Sequence, residues 1–234
     1  MALVTELQFD GTSDRLTGTY AAKPAAYFSG LAGARGDFLD ELPKGQKSRI
    51  LEIGCGSGDT GALAFQRGIA RDYIGIELFP AAAAEAAKVL TDVKVGNAET
   101  MTFDWQPASF DALILSEVLE HLVDPWGLAE RLSVYVRPGG LIMVSSPNVS
   151  HYSIIKELIL GRFELADHGP MDRTHMRWFT PKSYAALVER AGFSVRSVRP
   201  VTPFAARTQL LSKLTAGHFD HLFMRQIAIV GVKR

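Results

Sequence analysis

The run Glu52-Ile53-Gly54-Cys55-Gly56-Ser57-Gly58 is the sharpest chemical signal in the chain. Glycines at alternate positions let a backbone turn tightly and approach a bound molecule with no Cβ in the way. A helix that starts after such a loop presents unpaired N–H groups to the same side. Two ligand classes use this arrangement. One is a dinucleotide, whose pyrophosphate rests on the helix N-terminus. The other is S-adenosylmethionine, which carries an ammonium and a sulfonium and no phosphate. The register favours the second. A G-x-G-x-x-G fingerprint begun at Gly54 puts its third glycine on Asp59, wrong in size and charge for a pyrophosphate. The alternative match, Gly56-x-Gly58-x-x-Gly61, begins two residues late. Glu52 places an acid beside a ligand amine. Glu77 closes the next apolar run, at about the 20-residue distance where a carboxylate takes both ribose hydroxyls; the bland reading makes it a solvated acid that starts a helix.

Two further clusters carry titratable groups. Ser116-Glu117-Val118-Leu119-Glu120-His121 follows the apolar run 112–115. If that run is a strand of an open α/β sheet, its end faces the ligand crevice. Residues 167–180, from Asp167-His168 through Asp172-Arg173-Thr174-His175 to Arg177-Trp178-Phe179-Thr180, mix polar and aromatic side chains without periodicity, as functional loops do. His151 and Tyr152 precede them. His121, His151, His168 and His175 all fall after the fourth and fifth apolar runs, which enriches one face in titratable groups.

Alternating strand and helix signals position these residues. Short β-rich runs at 50–53, 73–76, 93–95, 112–115 and 141–144 alternate with helical stretches at 59–67, 80–90 and 125–136. Pro80 and Pro125 sit where a first helical turn tolerates proline. Alternation of this kind predicts a parallel sheet with helices on both faces. A helix is expected at about 24–42, with an apolar stripe of Phe28, Leu31, Phe38, Leu39 and Leu42. Another starts at Thr180-Pro181 and ends at Gly192, strands follow at 193–199 and 224–232, and a helical stretch lies near 204–214. The fold expected is a Rossmann-like α/β domain: seven strands, mostly parallel, with an antiparallel last strand. Its parts are an N-terminal helical cap (1–42), a cofactor-binding core (49–148), an inserted substrate lid (149–178) and the C-terminal part of the sheet (179–234).

Composition removes several function classes. Lys plus Arg and Asp plus Glu number 25 each, so the basic excess of a general nucleic-acid footprint is missing. No apolar run approaches the roughly 20 residues of a membrane span. The N-terminus, mixed and acidic, does not read as a signal peptide. Cys55 is the one cysteine, which excludes an intrachain disulfide and points to a reducing, cytoplasmic setting.

The ordered set of motifs resembles the class I S-adenosylmethionine-dependent methyltransferase superfamily. LEIGCGSG resembles its glycine motif, YIGIE its ribose-binding strand, and VGNAE (95–99) its adenine-contacting turn. FDALILSEVLEHLVDP (110–125) and RPGGLIMVSSPN (137–148) resemble its fourth and fifth strand regions. The resemblance implies that the loop of Gly54, Cys55, Gly56 and Gly58, with Glu52 and Ser116 nearby, holds the methionine portion. It implies that Glu77 holds the ribose, Leu78 packs on the adenine, and Asn97 and Ala98 meet its edge. Asn97 stands where the family often has Asp and keeps an acceptor oxygen. Glu99 is either a helper or an exposed acid. The V-L-E-H run resembles ubiquinone-pathway O-methyltransferases, which implies Mg²⁺ at Glu117, Glu120 and His121; the alternative is that Glu117 and His121 pair on one helical turn. The D-R-T-H-x-R-x-F-T run (172–180) resembles a segment of bacterial methyltransferases associated with glycan or secondary-metabolite genes.

Methyl transfer to an oxygen needs alignment and removal of the hydroxyl proton, by a base or a metal. His175 fits the base, with Asp172 orienting it and His121 close by. Arg173, Arg177, His151 and Tyr152 fit acceptor binding, the arginines by pairing an acidic or phosphorylated group. Alternatively, Asp172 and one arginine form a salt-bridged hinge. The expected activity is O-methylation of a small polar acceptor such as a sugar or sugar conjugate. A C- or N-methyltransferase of a quinone or amine is the second enzyme reading, and a quinone would call for a more apolar 149–178 segment than the sequence suggests. A non-catalytic S-adenosylmethionine-binding protein is the reading from another class.

Overall fold

The structure is a computed structural model that describes residues 33–234. Seven strands form one sheet in the order β3-β2-β1-β4-β5-β7-β6. They are β1 (Ser48–Ile53), β2 (Ala70–Glu77), β3 (Asp92–Val95), β4 (Phe110–Ser116), β5 (Val136–Pro147), β6 (Phe193–Pro200) and β7 (Gln226–Lys233). Strands β1 to β5 pair in parallel, and β7 runs antiparallel between β5 and β6. The final hairpin is therefore folded back so that its second strand, not its first, joins the sheet.

Alternate residues of each strand go to opposite faces, and here both faces are covered. Leu51, Ile53, Leu113, Leu115, Ile142 and Val144 share one core cluster with Leu128 and Leu132 of α4 (Pro125–Ser133) and Leu187 of α6 (Pro181–Arg190). Ile50, Ala112, Ile114, Leu141 and Met143 share the other with Phe38 and Leu39 of α1 (Gly36–Leu39) and Ala64 of α2 (Asp59–Gln66). Burial on both faces explains why these strands read as unbroken apolar runs rather than alternating ones. The third helix on the way, α3 (Pro80–Ala86), begins at the expected proline.

Two helix ends differ from expectation. The helix read to 136 stops at Ser133, because Val136 pairs with Phe110 and so opens β5. The helix read to residue 90 stops at Ala86, and a turn carries the chain to β3. Of the helix expected at 24–42, only α1 and the turn after it fall within the described residues; Phe28 and Leu31 lie outside them.

Residues 149–178 leave the sheet and return to it at one neck. Asn148 bridges Phe179, and the Val149 N–H donates to the Phe179 carbonyl at 2.9 Å. Asn148 is buried, and its amide donates to the carbonyls of His221 and Met224 while its oxygen accepts from Ser150. The excursion carries a helix the sequence reading did not separate, α5 (Tyr152–Ile159). The last helix, α7 (Ala206–Leu214), connects β6 to β7.

Candidate active site

The strand order reverses between β1 and β4, where an open α/β sheet forms its ligand crevice at the carboxyl ends. The loops after these two strands touch. Gly54 has φ +70°, and a Cβ built there would stand 2.6 Å from Val118 Cγ2, in the turn after β4. Gly58, with φ +86°, is the N-cap of α2. Gly56 also lies at positive φ, +54°.

Glu77 holds this cradle in shape. One carboxylate oxygen accepts from the Gly56 N–H at 2.9 Å and the other from the Phe79 N–H at 3.0 Å. A carboxylate has about four lone-pair positions, so capacity remains for a further donor. Burial pushes the Glu77 carboxyl up, against those backbone hydrogen bonds. Glu52 lies deeper. Its carboxylate accepts from the Tyr73 hydroxyl at 2.7 Å, and burial raises its pKa to about 7. Glu52 thus lies beneath the loop rather than lining it. Cys55 also packs inward: a Cβ on Gly75 would meet its Sγ at 2.4 Å, so only its backbone is left to face a ligand. Burial pushes its thiol up.

The expected adenine turn is tied to the start of α4. Asn97 Oδ1 accepts from the Glu99 N–H at 2.9 Å and keeps a second lone pair. Glu99 spends its carboxylate on the N–H groups of Val123 and Asp124, which makes it a brace between two loops. Ala98 is buried under this turn, and Leu78 is half-buried at the end of β2.

Arg35 is a participant that sequence reasoning missed. It is buried, its Nη1 donates to Ser116 Oγ and Ser145 Oγ at 2.6 Å each, and its guanidinium lies 3.7 Å over Phe38. Its Nε and Nη2 engage Asp37. It pins the segment before β1 to the ends of β4 and β5. An arginine between Ala34 and Gly36 has no periodic context that would have marked it.

At the tip of β4, Glu117 adopts φ +53°. A non-glycine residue in that region costs of order 1–3 kcal/mol and concentrates at functional sites. Its carboxylate turns away toward Gln226, whose Nε2 donates to it at 3.0 Å. The following turn is a short 3₁₀ helix, Leu119–His121, so residues 117–121 never form the helical turn on which Glu117 and His121 would pair.

The two histidine-bearing clusters come together here. The N–H groups of Met176 and Arg177 both donate to the Glu120 carbonyl, at 2.8 and 3.0 Å, docking the 172–180 run against the turn after β4. The rings of His121 and His175 lie 4.8 Å apart, edge to face. His121 Nδ1 faces the Thr174 carbonyl at 3.2 Å, and His175 Nδ1 faces the Pro170 carbonyl at 3.2 Å. A carbonyl only accepts, so each Nδ1 carries a proton. Asp172 Oδ1 accepts from both the N–H and the hydroxyl of Thr174 at 2.8 Å, shaping the turn that presents His175. Arg173 pairs with Asp167 at 2.7 Å on the surface, and Arg177 donates to the Met176 and Val123 carbonyls. His151 caps α5 through Ser153 and contacts the Tyr152 ring.

Beyond the neck, the segment is more apolar at its surface than its sequence suggested. Tyr152, Leu158, Ile159, Leu160, Phe163, Leu165 and Trp178 are all exposed. Tyr152, Ile155, Ile159 and Leu160, with Leu222, line a groove of about 310 Å³.

A family model described as a methyltransferase domain matches residues 27–198. A ubiquinone biosynthesis O-methyltransferase of Pseudomonas aeruginosa (strain LESB58) is 26% identical over 174 residues, which are 72% of this chain and 74% of that protein. An S-adenosylmethionine-dependent methyltransferase from Mesorhizobium loti has a TM-score of 0.61 at 17% identity, covering 86% of this chain and 99% of that one. Phosphoethanolamine N-methyltransferase 2 of Haemonchus contortus, solved in complex with S-adenosyl-L-methionine, has a TM-score of 0.61 at 17% identity, covering 96% and 58%. No described helix is long and apolar enough to cross a membrane.

Proposed function

This chain belongs to the methyltransferase-domain family and is an S-adenosylmethionine-dependent methyltransferase of the class I fold, and from that premise we propose that it methylates a hydroxyl oxygen of a small acceptor with an apolar part. The residues at hand fit the cofactor: a loop of three glycines at positive φ, and beside it a buried carboxylate that already accepts from the loop's backbone. When bound, S-adenosylmethionine supplies an electrophilic methyl on a positively charged sulfur. Backbone at Gly54 and Gly56 holds the methionine portion, Glu77 the ribose, and Leu78, Asn97 and Ala98 the adenine. The hydroxyl proton departs through the cluster of Glu120, His121 and His175.

The observation that carries this reading is the meeting of His121 and His175, from segments distant in sequence, beside the turn that touches the glycine loop. Fixed groups at the mouth of the cofactor crevice suit a reaction in which an acceptor proton must be moved. The exposed apolar residues of 149–178 favour a phenolic or otherwise partly apolar acceptor. The O-methyltransferase named for ubiquinone biosynthesis supports the same choice. A sugar hydroxyl is the second reading, supported by the polar side chains that the 149–178 segment carries, His151, Asp172 and Thr174 among them.

An acceptor panel tests this. The chain is incubated with S-adenosylmethionine and a catechol with or without an alkyl tail, a monosaccharide or a primary amine, and S-adenosylhomocysteine release is followed. Turnover on the tailed catechol above the others supports the proposal. Turnover confined to the monosaccharide selects the second reading, and turnover on the amine alone overturns O-methylation.

A further inference from the structure

We propose that two copies of this chain associate through the apolar surface that residues 149–178 and 201–225 raise above the sheet. The proposal does not rest on the methyltransferase reading, because association is measured without cofactor or acceptor.

The first observation is where the exposed apolar side chains lie. Residues 149–178 expose seven large ones, and residues 201–225 add Leu210, Leu211, Leu214 and Phe219. Elsewhere among the described residues, the exposed large apolar side chains are all valines. Scattered valines are ordinary on a protein surface. A concentration of leucine, isoleucine and aromatic residues marks a surface that something covers.

The second observation is that α7 is turned inside out. A surface helix normally lays its apolar stripe on the core. Here Thr208, Ser212 and Thr215 make the half-buried stripe, and the Ser212 hydroxyl donates to Asp220 at 3.0 Å. Leu210 and Leu214, one turn apart, are 60% and 75% exposed, and no residue of α7 is buried. Hydroxyls inward and leucines outward leave the apolar face of the helix to a partner.

The two segments adjoin. Both leave the sheet at its carboxyl edge, since Pro147 of β5 and Pro200 of β6 stand level with Gln226 and Ile227 of β7. Asn148, at the neck of the first segment, donates to the carbonyls of His221 and Met224 in the second. The rings of Tyr152 and Phe223 lie 6.1 Å apart, and Leu222 completes the groove along α5.

Area and charge select a second copy as the occupant. At about 150 Å² for a whole side chain of this size, the seven and the four exposed residues present on the order of 900 Å². That exceeds the roughly 300–600 Å² of the largest apolar patch on an ordinary monomer. It reaches the ~800 Å² per partner of a stable interface. A small acceptor fills at most the groove of about 310 Å³ beside α5 and leaves the leucines of α7 bare. An anionic bilayer calls for a cluster of about four to eight Lys and Arg. The two segments carry seven Lys and Arg against five Asp and Glu, and Arg162 and Arg173 are each ion-paired to one of those acids. A surface so nearly balanced meets its own copy without large like-charge repulsion, and a two-fold axis uses the same patch on both sides. Because the carboxyl edge also forms the crevice, the second copy borders the acceptor side of the site.

The test uses the full chain without ligand, in sedimentation equilibrium across the micromolar range. A dimer is expected, and amide exchange in α5 and α7 should slow as concentration rises. Ile159→Glu and Leu214→Glu each place a charge in the symmetric interface twice, and each should weaken association roughly 100-fold or more. Both side chains are exposed in the single chain, and circular dichroism should show both variants folded. Val134→Glu, just before β5 at the opposite end of the sheet, should change association less than about 3-fold. A chain that stays monomeric throughout, a dimer indifferent to both glutamates, or a monomer that sediments with phosphatidylglycerol vesicles overturns the proposal. A dimer that is broken by the glutamates but binds no S-adenosylhomocysteine upholds the interface and sinks the cofactor assignment instead.

Discussion

The two sides of the crevice are built differently. On the glycine-loop side, the loop after β1 and the carboxylate at the end of β2 face each other across neighbouring parallel strands, and backbone N–H groups satisfy the acid. On the acceptor side, the turn after β4 meets a segment that arrives after β5, and the Glu120 carbonyl ties the two together. The first side is built from neighbouring strands and their own backbone; the second brings together groups that lie far apart in the chain. That division suits a protein with a constant cofactor and an acceptor that sets its individuality.

The largest effect that would sharpen this contrast is expected at Gly54. Gly54→Ala forces a left-handed Cβ, at about 1–2 kcal/mol, into a 2.6 Å contact with Val118, and overpacking adds about 1–3 kcal/mol. S-adenosylhomocysteine affinity, read by calorimetry, should fall more than 100-fold on the order of these costs. Retained affinity would mean that the cradle is not rigid, and the contrast would collapse.

Glu77→Ala comes next. It removes the acceptor for Gly56 and Phe79 as well as the ribose contact. Orphaned N–H groups cost about 1–3 kcal/mol each, so the variant should melt lower and also bind S-adenosylhomocysteine roughly 100-fold more weakly. Weak binding with an unchanged melting temperature would separate ribose recognition from loop bracing.

The smallest effect concerns Glu52. Burial raises its pKa in the folded chain from 4.5 to about 7. The native state therefore holds the proton more tightly than the unfolded one. The associated stability is present below about pH 4.5 and is lost as pH rises to and through about 7. The ceiling is about 3 kcal/mol. Glu52→Gln keeps an acceptor for Tyr73 and has no proton to lose, so its melting temperature should exceed that of the parent at pH 8 more than at pH 5. Parallel pH profiles would show that Glu52 is not the titrating group.

Much of the cofactor side was legible in advance because its signals are local. Gly54, Gly56 and Gly58 sit in one loop at positive φ, as their spacing required. Glu77 ends β2, as the apolar run before it required. What stayed hidden there depended on packing. Nothing around Glu52 or Cys55 said that one would bond Tyr73 and the other press on Gly75. On the acceptor side, His121 and His175 were both visible as candidates, while their approach to one another was not. Polar loop residues carry no periodicity from which a partner could be inferred.

By itself, the sequence determined the alternating α/β elements, the buried-on-both-faces strands and the class of ligand at the glycine loop. Each is written in neighbouring residues through steric freedom or side-chain period. Only the tertiary structure decided that β7 would lie between β5 and β6, that Arg35 would reach Ser116 and Ser145, and that Glu120 rather than Glu117 would stand with the two histidines. Those outcomes depend on which surfaces bury one another across long stretches of chain. For Glu120, a backbone dihedral at Glu117 and two hydrogen bonds to the Glu120 carbonyl set the arrangement, and neither is encoded in a local pattern.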